Sequence, residues 1–486
     1  RNKLKNQAAG QTESQIEEQT KGQISGNLEK DIAYLKKTLA VGQNFDVVHR
    51  KILIGGKEAY ICFIDGFCKD ELMQKLLQYF MDIKPEEMPQ DAQQMAQKEI
   101  PYVEVDPEKK WESIFYYLLA GVFLLLIDSY SEALLIDSRS YPARSVEEPD
   151  KDKVLRGSKD GFVETVVMNC ALIRRRIRST DLRMEMTCAG KSSQTDIVLC
   201  YMESRIDPAF LQKIKDKIAK IQADSLTMNQ ESLAESLHEG KWFNPFPKFK
   251  YTERPDAAAA QVLEGNLVLL VDNAPSAMIM PTTIFDVVEE ADDYYFPPIT
   301  GTYLRLARFL IAVLTYLMTP TFLLFMEHAD WIPESFAFIL LEKEPNIPLI
   351  WQFLILELAI DGLKLAAVNT PNMLSTPLSV MAGLVLGEFS VNSGWFNSEV
   401  MLYMAFVAIA NYTQANYEMG YALKFMRILT LILTALFGLW GYLAGIAVFA
   451  VSLKCNRTVS GNSYLYPLIP LDAKKLGARL FRRRLR

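Results

Sequence analysis

The stretch from residue 304 to residue 453 constrains the fold most, because it is dominated by Leu, Ile, Ala, Phe and Met with only short polar notches. Its first apolar run is long enough to cross a bilayer, which takes about 20 apolar residues in a helix. A soluble core helix normally keeps a polar face, which these runs lack. The pattern predicts a membrane protein with apolar runs at residues 304–326, 348–368, 378–395, 401–415 and 428–453.

The first 300 residues differ, since charged residues are spread throughout them. We therefore predict an α/β soluble head of two or more subdomains, followed by an all-α polytopic transmembrane bundle of about four to six membrane segments. The predicted domains are a disordered leader (1–28), a first α/β subdomain (29–145), a second α/β subdomain (146–240), a hairpin and linker to the membrane (241–303), the transmembrane region (304–455) and a basic cytoplasmic tail (456–486).

Composition excludes several classes of function. The formal net charge of −6 argues against nucleic acid as the main partner, because a phosphate-binding protein shows a basic face. The 6 cysteines form no Cys-x-x-Cys pair and only 3 histidines are present, so neither a metal site nor another cofactor is expected. No catalytic triad order, P-loop or Gly-rich nucleotide loop is apparent, which predicts that the chain is not an enzyme. The polar first 30 residues lack the apolar core of a signal peptide, so we expect the head to stay in the cytoplasm.

The head shows hairpins and amphipathic helices. Strands at 45–54 and 58–64 join at Gly55-Gly56, a dipeptide that a tight hairpin accepts. A strand pair bounded by Gly121 and Asp137 returns in similar form at 265–280, with equal Gly-to-Asp spacing in the first strand. Reuse of a common hairpin is favoured over a true duplication. Other predicted elements are helices at 29–39, 69–80, 111–119 and 162–178, strands at 182–187 and 194–202, and a helix from 207.

The membrane region contains ionisable residues, which cost about 3 kcal/mol or more in hydrocarbon and therefore face protein or water. Glu357 and Asp361 are spaced i, i+4 with Lys364 one turn further, and Glu388 and Asn392 repeat the spacing. A ring of carboxylates is one way to build a cation pathway. Alternatively, Glu357 or Asp361 pairs with Lys364 or a neighbouring span. Glu388 lacks a local basic partner, so it is the better pore candidate.

Topology and packing follow from charge and glycine positions. Arg305 and Arg308 at the start of the first span, and the basic tail 474–486, both favour the cytoplasmic side, which requires an even number of crossings. Either one run is re-entrant, or residues 428–453 form a hairpin interrupted at 438–441. Small residues suit close helix packing, and they occur at Gly383, Gly387, Gly438, Gly441 and Gly445.

The chain resembles the GerA-type spore germination proteins over residues 30–472, nearly its whole length. The strings that carry the resemblance are 144–149 (RSVEEP), 161–165 (GFVET), 171–176 (ALIRRR), 246–247 (FP), 251–256 (YTERPD), 263–265 (LEG), 271–272 (VD) and 281–283 (PTT). One departure lies at 410–418 (ANYTQANYE), where the family usually has Pro-Ser-Tyr. The strings YPAR at 141–144 and RGSKDG at 156–161 are similar to one branch of the family.

This resemblance implies a multi-pass protein of the spore inner membrane, with head and tail on the spore-core side. It implies a homo-oligomeric ring, a pentamer by family likeness, that conducts ions through the lipid bilayer and releases cations in germination. The branch implies a small membrane partner subunit and amplification of the germinant signal. The alternatives are a nutrient germinant receptor A subunit, or a membrane-anchored scaffold or sensor without conduction.

The head is then the gating and oligomerisation element. Its candidate interface residues are Arg144, Glu148 and the run Arg174, Arg175 and Arg176. Such an arginine run can bind an anion, lipid headgroups or an acidic neighbour. More often it is a solvated helix end that complements the helix dipole.

Overall fold

The computed structural model describes residues 22–68, 70–100, 104–139, 157–238, 244–290, 292–369, 380, 382–414 and 416–481. The chain divides into two compact units. A head unit comprises Arg1–Glu239 with Tyr251–Met280, and a helical unit comprises Gly240–Lys250 with Pro281–Arg486. The predicted α/β head followed by a helical region is confirmed.

The head unit contains two sets of elements in the same order. The first set is α1 (Leu28–Thr38), β1 (Val47–Ile54), β2 (Lys57–Ile64), α2 (Asp70–Asp82), α3 (Ala92–Lys98), β3 (Val105–Glu108), α4 (Trp111–Leu119), β4 (Phe123–Ile127) and β5 (Ala133–Ile136). The second set is α5 (Val166–Arg176), β6 (Leu182–Ala189), β7 (Thr195–Met202), α6 (Pro208–Ala219), α7 (Gln230–Leu237), β8 (Lys250–Thr252), α8 (Pro255–Leu263), β9 (Leu267–Val271) and β10 (Ala277–Met280).

Each set forms one five-stranded sheet, and the two sheets share a strand order. The orders are β1-β2-β4-β5-β3 and β6-β7-β9-β10-β8. Simple reuse of a hairpin does not require the helices and the third strand to correspond as well. The duplication that the sequence analysis ranked second therefore fits the structure better. Because β9 and β10 complete the second sheet, that sheet does not end at the predicted boundary of residue 240 but continues through the hairpin assigned to the linker.

Strand β4 shows why the central strands carry unbroken apolar runs. Leu124 and Leu126 face a core that includes α1 and α4, whereas Phe123, Leu125 and Ile127 face a core that includes α2 and α3. Successive side chains of a strand point to opposite faces. Since helices cover both faces, no position of β4 is left for a polar residue, and the predicted hairpin is confirmed.

The helical unit contains α9 (Ile284–Val288), α10 (Asp292–Tyr295), α11 (Pro298–Glu327), α12 (Leu349–Asn369), α13 (Ser398–Asn411), α14 (Tyr417–Cys455) and α15 (Ala473–Leu480). Short 3₁₀-helices occupy Ala329–Trp331 and Glu334–Ile339, and a π-helix at Gly383–Phe389 precedes one α-helical turn at Ser390–Asn392. Within the described residues, two helices, α11 and α14, are long and apolar enough to cross a membrane. The count of four to six membrane segments therefore stays a prediction.

Helix α14 is a hairpin. Gly438 has φ 54° and ψ −133°, which interrupts the helix. A Cβ atom on Gly441 would collide with the carbonyl oxygen of Leu433, and one on Gly445 would lie 2.6 Å from the Thr430 side chain. In a straight helix these pairs would be separated by about 12 and 22 Å along the axis. The hairpin alternative and the close packing at Gly441 and Gly445 are confirmed, whereas Gly438 makes the turn.

Contacts with α11 give the direction of each half of α14. The Tyr316 hydroxyl lies 2.9 Å from Thr430 Oγ1, and the Glu327 carboxylate lies close to Gly438. The first half therefore runs beside α11 in the same direction. The ring of Phe449 in the second half stacks on Tyr316 with a centroid distance of 4.3 Å, so the second half runs antiparallel to α11.

Helix α15 contacts the start of α11. Arg305 on the first turns of α11 donates from Nη1 to the carbonyl oxygen of Arg479 in α15, at 2.8 Å. Helix α15 thus lies at the end of the unit where α11 begins.

Candidate functional site

Two helices of the helical unit place five ionisable side chains together. Helix α12 supplies Glu357, Asp361 and Lys364, which lie one turn apart, and the first half of α14 supplies Lys424 and Arg427. We call these five residues the buried charge cluster. The apolar pattern does not predict the two α14 cations, because they lie just before the run that starts at residue 428. Their i, i+3 spacing opposite the i, i+4 carboxylates is the signal that could have found them.

Glu357 is the centre of this cluster. Arg427 donates to Glu357 Oε1 from Nε at 2.8 Å and from Nη2 at 2.5 Å. Lys424 Nζ lies 3.4 Å from Glu357 Oε2, and it also pairs with the carboxylate of Asp361. Arg427 Nη1 donates to the carbonyl oxygen of Thr315 on α11 at 3.0 Å. With Glu357 4% exposed and Arg427 2% exposed, the contacts tie three helices together.

The carboxylates are therefore neutralised by partners on another helix. Lys364 takes a different place, with its Nζ 5.0 Å from the ring centroid of Tyr412 and 5.8 Å from that of Tyr421. The cluster holds three cations against two carboxylates. Of the two predicted roles for Glu357 and Asp361, the pairing with a neighbouring helix is the one observed within a single chain.

Glu388 and Asn392 lie elsewhere, in and just after the π-helix. Both side chains are exposed, and the described part of the chain offers Glu388 no ion-pair partner. Its neighbour Phe389 is 62% exposed. Nothing lies within 4 Å of a Cβ atom built on Gly383 or Gly387, so the predicted close packing at these two glycines is not found among the described residues. A π-helix is uncommon and is found frequently at functional sites.

A second charge network surrounds the start of α11. Arg308 donates to both oxygens of Asp293, at 2.6 and 2.9 Å, and Arg305 Nη2 donates to Glu289 at 2.8 Å. Arg479 from α15 binds the other oxygen of Glu289 at 3.0 Å. Arg305 and Arg308 are buried, and their charges are paired with carboxylates. They therefore do not support a cytoplasmic start of α11 in the way that unpaired positive charges would. We call this network the collar; its residues are Asp286, Glu289, Glu290, Asp293, Arg305, Arg308 and Arg479.

In the head unit, the predicted arginine run is divided among three environments. Arg174 is 1% exposed and forms a bidentate pair with Asp46, which precedes β1, at 2.8 and 3.0 Å. It therefore links the two halves of the head. Arg175 is exposed. The other two candidates, Arg144 and Glu148, lie outside the described residues.

Arg176 holds the segment that precedes α5. Its Nη2 donates to both oxygens of Asp160, at 2.7 and 2.6 Å. Burial alone would raise the pKa of Asp160, but the hydrogen bonds from Arg176 and Ser158 outweigh it and hold that pKa below its ordinary value. Both Arg174 and Arg176 thus serve contacts within the head.

Comparison with known proteins gives consistent matches over nearly the whole chain. A family model described as Bacillus/Clostridium GerA spore germination protein matches residues 33–486. The chain is 36% identical to stage V sporulation protein AF of Bacillus subtilis (strain 168) over 451 residues, which cover 93% of this chain and 91% of that protein. It is 29% identical to spore germination protein KA of the same strain, with 94% and 85% covered.

Among solved structures, the N-terminal domain of the A subunit of the Bacillus megaterium spore germinant receptor GerK3 matches with a TM-score of 0.41 and 23% identity. That match covers 53% of this chain and 96% of the other. From the family match and the sequence identity, we conclude that this chain belongs to the GerA family of Bacillus/Clostridium spore germination proteins.

Proposed function

We propose that this protein is a subunit of an oligomeric ion channel of the spore inner membrane, which releases cations during germination and amplifies the germinant signal. The names of its relatives support a role in the spore, since they are sporulation and germination proteins. The two long apolar helices, α11 and α14, support a position in a membrane. Head and C-terminal tail are then on the spore-core side.

The main support for this proposal is the exposed carboxylate of Glu388. A carboxylate facing hydrocarbon costs about 3 kcal/mol or more, yet Glu388 is exposed on a helical surface where Val385 and Phe389 are exposed as well. Such a side chain needs water or another protein chain. A ring of subunits supplies both, because Glu388 and Asn392 can line a hydrated lumen while their apolar neighbours and Gly383 pack against the next copy.

A scaffold or sensor without conduction is the second candidate, and the buried charge cluster favours it. Glu357 and Asp361 are paired with Arg427 and Lys424, so these carboxylates stabilise the helix bundle without any need for a passing ion. If Glu388 is likewise paired by a partner subunit, the membrane region only anchors the head.

Cation efflux from liposomes separates the two candidates. The purified full chain is reconstituted with and without its small membrane partner, and wild type is compared with Glu388→Gln. We expect the substitution to change the efflux rate and the cation-to-anion selectivity several-fold, because it removes the charge from the lumen. The matched control Glu334→Gln alters an exposed glutamate outside the π-helix and should have no effect.

The outcomes are distinct. Efflux that responds to Glu357→Gln but not to Glu388→Gln would move the pore to the buried charge cluster. No efflux from any variant, with or without the partner, would favour the scaffold.

We also propose that the head contributes to assembly through Arg175, the exposed member of the arginine run. Charge reversal in Arg175→Glu should then reduce the oligomer mass measured by light scattering in detergent. The matched control Lys213→Glu reverses an exposed charge on α6, and an equal loss of mass in both variants would contradict a specific role for Arg175.

A further inference from the structure

The C-terminal helix α15 and the turn before it present an exposed surface that is both apolar and basic. Leu471 is 69% exposed and Phe481 is 54% exposed. Soluble proteins seldom expose several large apolar side chains together unless the patch binds something. We call this patch the α15 surface; its residues are Leu468, Ile469, Leu471, Lys474, Lys475 and Phe481.

Within α15, Lys474 and Ala478 are exposed and four residues apart, which places them on one side of the helix. Leu471 precedes the helix and Phe481 follows its last residue, so these two exposed apolar side chains lie at the two ends of α15. Leu476 and Leu480 are half-buried on the side that carries Arg479. The helix is thus fixed to the unit by one face and leaves the other uncovered.

Every charged residue that follows Asp472 is basic. Lys474, Lys475 and Arg479 are followed by the sequence RRRLR at residues 482–486. Asp472 itself caps the start of α15, where its side chain accepts a hydrogen bond from the Lys475 backbone N–H at 3.1 Å. A run of cations without a carboxylate between them disfavours pairing with the same surface of a second copy, because like charges would meet.

The collar fixes the position of α15 relative to α11. Arg479 binds Glu289 and Asp286 through its guanidinium group, at 3.0 and 2.9 Å, and Arg305 donates to its carbonyl oxygen at 2.8 Å. Because α11 is one of the two helices apolar enough to span a membrane, α15 lies where such a span begins.

We propose that the α15 surface is an interfacial membrane anchor that binds anionic phospholipid headgroups. The apolar side chains enter the boundary between headgroups and acyl chains, and the lysines meet lipid phosphates. This inference rests on the membrane position in the proposed function, but it does not require that the protein conducts ions. Through the collar, lipid bound at α15 is linked to the entry of α11.

Hydrogen exchange of the full chain in lipid nanodiscs tests the proposal. Exchange in peptides covering residues 466–481 is compared between discs of phosphatidylcholine alone and discs that also contain phosphatidylglycerol. We expect slower exchange in the anionic discs, and we expect the difference to disappear in about 1 M salt, where the screening length falls to about 3 Å.

Two variants and one control sharpen the test. Lys474→Glu with Lys475→Glu should abolish the difference between the two discs, since losing two cations weakens anionic membrane binding by roughly tenfold or more. Leu471→Ser with Phe481→Ser should reduce protection in both discs, because the apolar contact with the lipid does not depend on headgroup charge. The control Lys213→Glu with Lys220→Glu changes the net charge equally in the head and should behave as wild type.

Equal exchange in both discs would overturn the proposal, and so would protection that appears only when the partner subunit or a higher protein concentration is supplied. A chain that does not enter nanodiscs at all would instead overturn the membrane position on which the inference rests. Loss of ion efflux with lipid-dependent protection retained would leave the α15 anchor standing while contradicting the channel.

Discussion

Glu357→Gln is the most direct test of the buried charge cluster. The substitution keeps the size of the side chain but removes the charge that accepts two hydrogen bonds from Arg427. Lys424 retains Asp361 as a partner, whereas Arg427 keeps two uncharged acceptors, the carbonyl oxygen of Thr315 and the amide oxygen of the introduced glutamine. One buried guanidinium is therefore left without a counter-charge.

The expected magnitude follows from that geometry. Breaking a buried ion pair by removing one partner typically costs about 3–5 kcal/mol. The lower part of this range applies, because the amide oxygen of the introduced glutamine would still accept one hydrogen bond. For a unit of about 200 residues, 1 kcal/mol changes the melting temperature by about 2–4 °C, so the loss is about 10 °C.

A second substitution shows whether the pair itself is responsible. Replacing both partners, as in Glu357→Leu with Arg427→Met, removes the unpaired charge and leaves apolar side chains of similar length. Buried ion pairs replaced in this way are often neutral in stability or better. We therefore expect the double variant to recover most of the lost stability, with a large coupling energy in the double-mutant cycle.

Thermal denaturation of the full chain in detergent, followed by far-ultraviolet circular dichroism, measures the effect. Glu334→Gln, an exposed carboxylate, is the control and should melt like wild type. Two results would refute the reasoning. One is a Glu357→Gln variant that melts at the wild-type temperature, and the other is a Glu357→Leu, Arg427→Met double variant whose loss of stability equals the sum of the losses in Glu357→Leu and Arg427→Met.

Two further predictions concern the head and the α14 hairpin. Asp46→Asn leaves Arg174 buried without its bidentate partner, which should cost about 3 kcal/mol or more and raise hydrogen exchange in both halves of the head; unchanged exchange would contradict the link. Gly441→Ala should lower the melting temperature, because its Cβ meets the Leu433 carbonyl. The control Gly362→Ala adds a methyl group to α12 with nothing within 4 Å, so equal losses in the two variants would argue against close packing in the hairpin.

The strands of the head illustrate what local patterns can predict. Strand β4 and its partner β5 are recognisable because both faces are buried and a turn separates them. Strand β3 pairs with β5 at the sheet edge, although α4 and β4 lie between these two strands in the chain. No local pattern encodes that pairing, and for the same reason the shared order of the two sheets was not the favoured interpretation.

The sequence by itself determined the division into a mixed α/β head and an apolar helical region, and its strings identified the family. Those properties depend on local periodicity, composition and residue identity. Only the tertiary structure decided that Glu357 pairs with Arg427, 70 residues away, and that α14 reverses at Gly438. The ion pair forms only because the two helices pack with a particular direction and rotation, and the reversal depends on the backbone conformation of a single residue. A run of apolar residues encodes neither the packing of the helices nor that conformation.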